Sequence, residues 1–149
     1  MTAPTNYKSE YQAIAGIFNA GWKQGSPAVY ITPILWPGVN SAIPTDANGE
    51  QVNHVRFFIT NGEAQQISVG APGANVFRHP GIVSCKIYTK SNLGEIPAKE
   101  LADKFCAIFR NANTPGIRFD APYSVIIGQT ENGFYQINCF APFERDSLL

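Results

Sequence analysis

Two stretches decide the fold: Ile82-Val83-Ser84-Cys85-Lys86-Ile87-Tyr88-Thr89, and Pro97-Ala98-Lys99-Glu100-Leu101-Ala102-Asp103-Lys104-Phe105-Cys106-Ala107-Ile108-Phe109. In the first, Val83, Cys85, Ile87 and Thr89 alternate with Ile82, Ser84, Lys86 and Tyr88, the period of a β-strand. In the second, Ala98, Leu101, Ala102, Phe105, Ile108, Phe109 and Ala112 recur at spacings of three and four, the stripe of an amphipathic helix. Pro97 suits the first helical turn. Glu100 and Lys104 are spaced as an i,i+4 pair on the solvent side. Asn113-Thr114-Pro115-Gly116 ends the helix.

Upstream, Tyr11, Ile14, Ala15, Phe18 and Trp22 mark another amphipathic helix, from about Asn6 to Gln24, with Thr5 or Asn6 as cap and Gly25 and Pro27 as stop. Glu10 falls near the positive end of its dipole. Val29 to Trp36 is rich in β-formers, but Pro33 makes it an edge or broken strand. Pro37 to Gln51 and Gly70 to Asn75 read as mobile loops. Val52 to Thr60 is a strand with Val55, Phe57 and Ile59 on one face and His54, Arg56 and Phe58 on the other. Asn61-Gly62 predicts a hairpin turn into a short return strand, about Ala64 to Val69, with Ile67 and Val69 inward. Val76 to Gly81 leads into the Ile82 strand. Downstream, Ile117 to Gln129, bent at Ala121-Pro122, and Phe134 to Phe143 form a final hairpin around Thr130-Glu131-Asn132-Gly133. Glu144 to Leu149 reads as a short tail. This order predicts one α+β domain over residues 1–149, a two-layer sandwich with both helices on one face of a mostly antiparallel sheet.

The 149 residues suffice for a core without staples. Eleven basic and eleven acidic side chains cancel, which removes the usual electrostatic support for nucleic-acid or membrane-surface binding. Charged residues make up only 15%, below the roughly 25% of an ordinary domain. A surface so short of charge is the kind that other subunits cover. Cys85, Cys106 and Cys139 are an odd number without a CxxC spacing, each in an apolar stretch, and read as reduced, buried thiols. No leader is evident, and no apolar run approaches a membrane span, so the expectation is a soluble chain from a reducing compartment.

A search for chemistry finds no catalytic constellation. His54 and His79 lack metal-ligand spacing and neighbouring cysteines; His54 reads as a solvent-exposed or interface side chain, His79 as shaping a turn before Pro80-Gly81. Gly70-Ala71-Pro72-Gly73 lacks the Lys-Ser/Thr and helix of a phosphate loop. His54, Arg56 and Phe58 imitate a base-stacking strand, but one arginine cannot neutralise a phosphate backbone. No catalytic residue, cofactor or metal is expected.

The run Phe77-Arg78-His79-Pro80-Gly81-Ile82-Val83-Ser84-Cys85-Lys86-Ile87-Tyr88, then Gly94, then Ala98-Lys99-Glu100-Leu101-Ala102-Asp103-Lys104-Phe105 to Phe109-Arg110, resembles the bacteriophage tail-terminator family, which includes minor tail protein U-like proteins. The likeness extends in order over nearly the whole chain. It implies a structural virion protein, assembled in the host cytoplasm, that forms a six-membered ring on the finished tail tube. Such a ring stops tube polymerisation and offers a face to the head-side connector protein. The implied partners are further copies of this chain, the tail tube protein and the connector. The long Pro37–Gln51 loop and the scarcity of charge depart from the family layout. Two other readings share these features in part: another neck or tail-completion protein of the same design, and a small-molecule-binding domain. A ring needs two different complementary patches per subunit. Tyr30 and Trp36 on the early strand, and His54, Arg56 and Phe58 on the minor face of the next, are the expected interface residues.

Overall fold

In a computed structural model, the protein is described over residues 3–23, 32–39 and 42–149. Its elements run α1 (Tyr7–Lys23), β1 (Ile34–Leu35), β2 (His54–Asn61), β3 (Gln65–Gln66), β4 (Val76–Lys90), a 3-10 turn (Ser91–Leu93), α2 (Ile96–Arg110), β5 (Ile117–Phe119), β6 (Tyr123–Gln129) and β7 (Phe134–Leu148). The architecture is α+β: seven strands form one sheet, antiparallel except where β1 lies parallel to β2. Both helices cover one face of it.

The sheet is organised around one long ladder. β4 and β7, 15 residues each, pair without interruption from Val76 opposite Leu148 to Lys90 opposite Phe134. The ladder continues into Asn75 and Leu149, which exchange backbone hydrogen bonds at 3.3 and 2.9 Å. The stretch from Glu144 onward is therefore not a tail. It alternates buried and exposed like the rest of β7, placing Arg145 and Ser147 inward.

Asn61-Gly62 is also not a hairpin turn. β2 and β3 lie end to end along the same side of β4: Asn61 pairs with Gly81, and Gln65 with Arg78. Gly62 donates to the Pro80 carbonyl at 2.9 Å and does not take the positive φ that a type I′ turn requires. The reversal comes later, at the Gly70–Asn75 tip. The extended β4 offers eight consecutive partners to β2, and that long-range ladder overrides the local dipeptide signal. Without a turn at Asn61, the return strand shrinks to two residues, and Ile67 and Val69 are exposed, Val69 completely. On the other side of β7, β5 and β6 are likewise laid end to end, with the break falling at Asp120-Ala121-Pro122. The Thr130–Gly133 turn closes as expected, with Thr130 donating to the Phe134 carbonyl at 2.8 Å.

The helix-facing side of the sheet is the core. Phe18 sits at its centre, stacked on Phe57 at 4.8 Å and Trp22 at 5.1 Å, with Phe105 at 6.1 Å and Phe109 at 6.4 Å. Each such ring is worth about 1.5–3 kcal/mol of burial. Gly81 lies opposite Phe143 and leaves room for its ring; a Cβ there would collide with it. Asn6 caps α1: its Oδ1 accepts from the Ser9 N–H at 2.9 Å, while Ser9 Oγ accepts from the Thr5 and Asn6 N–H groups. The expected Glu100–Lys104 pair does not form. Lys104 instead lies over the Trp22 ring at 5.2 Å, and Lys99 pairs with Glu95 at 3.3 Å. The ammonium is drawn to the ring face of Trp22 instead of the Glu100 carboxylate. The 37–51 stretch contains a small local turn, in which Asp46 Oδ1 accepts from Asn48 and Glu50 and Thr45 bridges Gln51.

Candidate functional site

The sheet has a second face that, among the described residues, no helix covers. Strand register places its side chains in rows across four strands. One row reads Phe58, Ser84, Phe140, Tyr123; the next reads Arg56, Lys86, Asn138, Val125. Phe140 and Tyr123 are in ring contact at 5.3 Å, and Lys86 Nζ lies 5.6 Å from the Phe58 ring centroid. Arg56 and Lys86 stand directly opposite each other, an arrangement of like charges that costs stability. Among the described residues neither forms an ion pair. The far end of this face differs: Arg78 binds Asp146 at 2.9 Å and Glu144 at 3.5 Å, and Arg118 also pairs with Glu144.

β6 forms the outer edge beside this face. It carries no charge and no proline, and Tyr123, Val125, Ile126 and Ile127 are each 44–55% exposed. A bulge between Ile126 and Gly128 shifts its register. Natural sheets blunt exposed edges with charge, proline or bulges; this edge has only the bulge.

Of the expected interface residues, the structure brings Arg56 and Phe58 together on the open face. His54 shares that strand face but is 2% exposed, stacked on Tyr88 at 4.9 Å and edge-on to Phe134 at 5.2 Å, with Nδ1 3.0 Å from the Val52 carbonyl. The expectation of a solvent-exposed ring is thus corrected: two aromatic neighbours from β4 and β7 enclose it. Burial, and then the nearby Arg56 charge, hold its pKa below the usual histidine value. Trp36 lies apart from them, on the core side, edge-on to Phe18 and Phe57. Tyr30 lies outside the described residues. Lys86, Phe140, Tyr123 and Val125 were missed as members of one surface. Their alternation was legible, but not which strands neighbour which.

A second cluster was also missed. Glu10, buried near the start of α1, accepts from Arg145 Nε at 2.9 Å and from Asn61 Nδ2 at 2.9 Å. Arg145 also lies over the Tyr7 ring at 5.6 Å. His79 is not a turn residue: it sits within β4, buried, with Nε2 2.9 Å from Ser147 Oγ and Tyr7 edge-on at 5.8 Å. Burial and the Arg145 charge lower its pKa. These contacts clamp the N-terminal turn of α1 onto β2, β4 and β7. Within this cluster, Arg145 Nη1 and His79 Nδ1 are buried with no hydrogen-bond partner among the described residues.

Cys85 and Cys139 are free, buried and cross-strand neighbours on the core face. Burial pushes the Cys85 thiol well above its usual value and Cys139 up to about 12, so neither is a ready nucleophile. Cys106, also free, is half-buried. A groove of about 540 Å³ between the helices is lined by Ile17, Gly21, Lys104, Ala107, Ile108 and Asn111; among the described lining residues, Lys104 is the one ionisable side chain. Among the described residues, no group of three or more His, Cys, Asp or Glu side chains is arranged to hold a metal, and no helix is long and apolar enough to cross a membrane. No model of a known protein family matches this chain, and no curated protein does.

Proposed function

We propose that this chain is a structural protein of a bacteriophage tail, a terminator whose copies close into a ring on the tail tube, stop its polymerisation and face the head-side connector. One observation carries the reading. Among the described residues, nothing covers a sheet face that mixes aromatic side chains with two unpaired cations, or the apolar edge strand β6 beside it. A head-to-tail ring requires two such distinct surfaces on every subunit. The resemblance of Phe77–Tyr88 and Ala98–Arg110 to tail terminators supplies the identity of the tube. The two-layer fold, with a long central β4–β7 ladder and one helix between β4 and β5, is in keeping with it.

The test is tube growth. Purified tail tube protein polymerises with and without this chain, and tube lengths and ends are measured by negative-stain electron microscopy. The expected result is arrested growth, with a ring of density at one end. Tubes that lengthen equally in both reactions and carry no cap overturn the reading.

A further inference from the structure

The open sheet face and the outer face of α2 are complementary in charge and in the spacing of their charged residues. Ile96, Glu100, Asp103 and Ala107, at i, i+4, i+7 and i+11, form one stripe on α2 opposite its buried residues Ala98, Ala102, Phe105 and Phe109. All four are exposed, Ile96 at 70%, and Leu93 just before the helix is also exposed. Among the described residues Glu100 and Asp103 form no ion pair. Side chains three apart on a helix have Cβ atoms about 5–6 Å apart. Arg56 and Lys86, directly opposite across β2 and β4, have theirs about 4.5–5.5 Å apart. Two unpaired acids therefore match two unpaired cations in spacing. Each pair is flanked by apolar groups: the exposed Ile96 and Leu93 on one side; the half-buried Phe58 and Phe140 and the exposed Tyr123 and Val125 on the other.

We infer that the occupant of the open sheet face is a second copy of this chain, which lays the Ile96–Ala107 stripe of α2 across it, with Glu100 and Asp103 against Arg56 and Lys86. This inference deepens the assembly reading, from which it takes the partner to be another copy. The two surfaces lie on opposite sides of a two-layer molecule, so a subunit uses both at once and the contact propagates head to tail. The acids of the neighbour relieve the like-charge opposition that the isolated chain leaves standing. A helix on a sheet is also the packing the chain already uses on its other face.

Charge exchange tests it. The first variant carries Arg56→Glu and Lys86→Glu; the second carries Glu100→Lys and Asp103→Lys. All are surface changes, and circular dichroism checks folding. Sedimentation velocity across a dilution series reads association. The wild type is expected to associate. Each variant alone is expected to weaken association at least about tenfold, since it sets like charges together. Mixed in equal amounts, the variants are expected to associate again, because acid then meets cation at every junction of an alternating assembly.

Wild-type-like association of either single variant overturns the inference, as does a mixture that stays dissociated. A wild type that remains monomeric at every concentration overturns it too. So does loss of tube binding, without loss of self-association, on reversing Arg56 and Lys86, which would assign the face to the tube. The terminator reading stands or falls separately, on tube capping.

Discussion

The two faces of one sheet have been solved in opposite ways. On the helix side, Val55, Phe57, Val83, Cys85, Ile87, Ile137 and Cys139 are fully or almost fully buried, and α1 and α2 supply Phe18, Trp22, Phe105 and Phe109 to complete the packing. On the open side, the same three strands present Arg56, Phe58, Ile82, Lys86 and Phe140 with no covering element among the described residues. An antiparallel sheet with one wet face usually alternates apolar with polar residues. Here the wet face keeps aromatic and aliphatic side chains. Stability is therefore concentrated on one face, and the proposed assembly would use the other. Substitutions on the two faces should separate these roles.

The largest effect is expected on the covered side. Phe18→Ala removes the ring at the centre of the aromatic cluster and should cost about 3–5 kcal/mol, read as a lower midpoint in urea denaturation. Glu10→Ala, at the clamp between α1 and β7, should cost about 3–5 kcal/mol, because it leaves the Arg145 guanidinium buried without its carboxylate. Glu10→Gln retains a hydrogen-bond acceptor and should cost less. Equal melting temperatures for wild type and Glu10→Ala would show that the clamp is idle.

Acid acts more gradually, and on both faces. His54 on the open face and His79 on the covered face are held below their ordinary value near 6.5. Below that value the unfolded chain takes up protons that the folded chain refuses. The stability from neutral imidazoles is thus complete above pH 6.5 and is lost as pH falls toward the lowered folded values. The melting temperature should drop as pH falls below about 6.5. Replacing both histidines with Gln should flatten that part of the profile.

The smallest effect on folding is expected at Phe58. Phe58→Asp should change stability by at most about 1 kcal/mol, since the side chain is only half-buried, yet abolish assembly. A strong loss of stability with assembly retained would erase the distinction between the faces.

Periodicity alone carried both helices, the β4 and β7 alternation, the final hairpin and the α+β class. These features depend on side chains close in sequence, where spacing decides which face is apolar. The Asn6 cap was legible for the same reason. Reading failed wherever a distant partner outweighed a local signal. Asn61-Gly62 has the composition of a hairpin turn, but the chain runs on along β4 because an eight-pair ladder outweighs one dipeptide. Glu144 to Leu149 looks like a polar tail, yet pairing with Val76 to Pro80 makes it the end of a central strand. Glu10 read only as an acid near the positive end of the α1 dipole; its buried pairing with Arg145, 135 positions away, was not legible.

The candidate surface divides along the same line. The sequence by itself determined that His54, Arg56 and Phe58 share a strand face and that the chain is too poor in charge to cover itself with polar groups. Only the tertiary structure decided which strands lie side by side. That order turned a short motif into a four-strand surface, enclosed His54, drew Trp36 into the core and set Lys86 opposite Arg56. The physical reason is range: alternation follows from bonds along the chain, whereas register and burial follow from partners that only the complete sheet brings together.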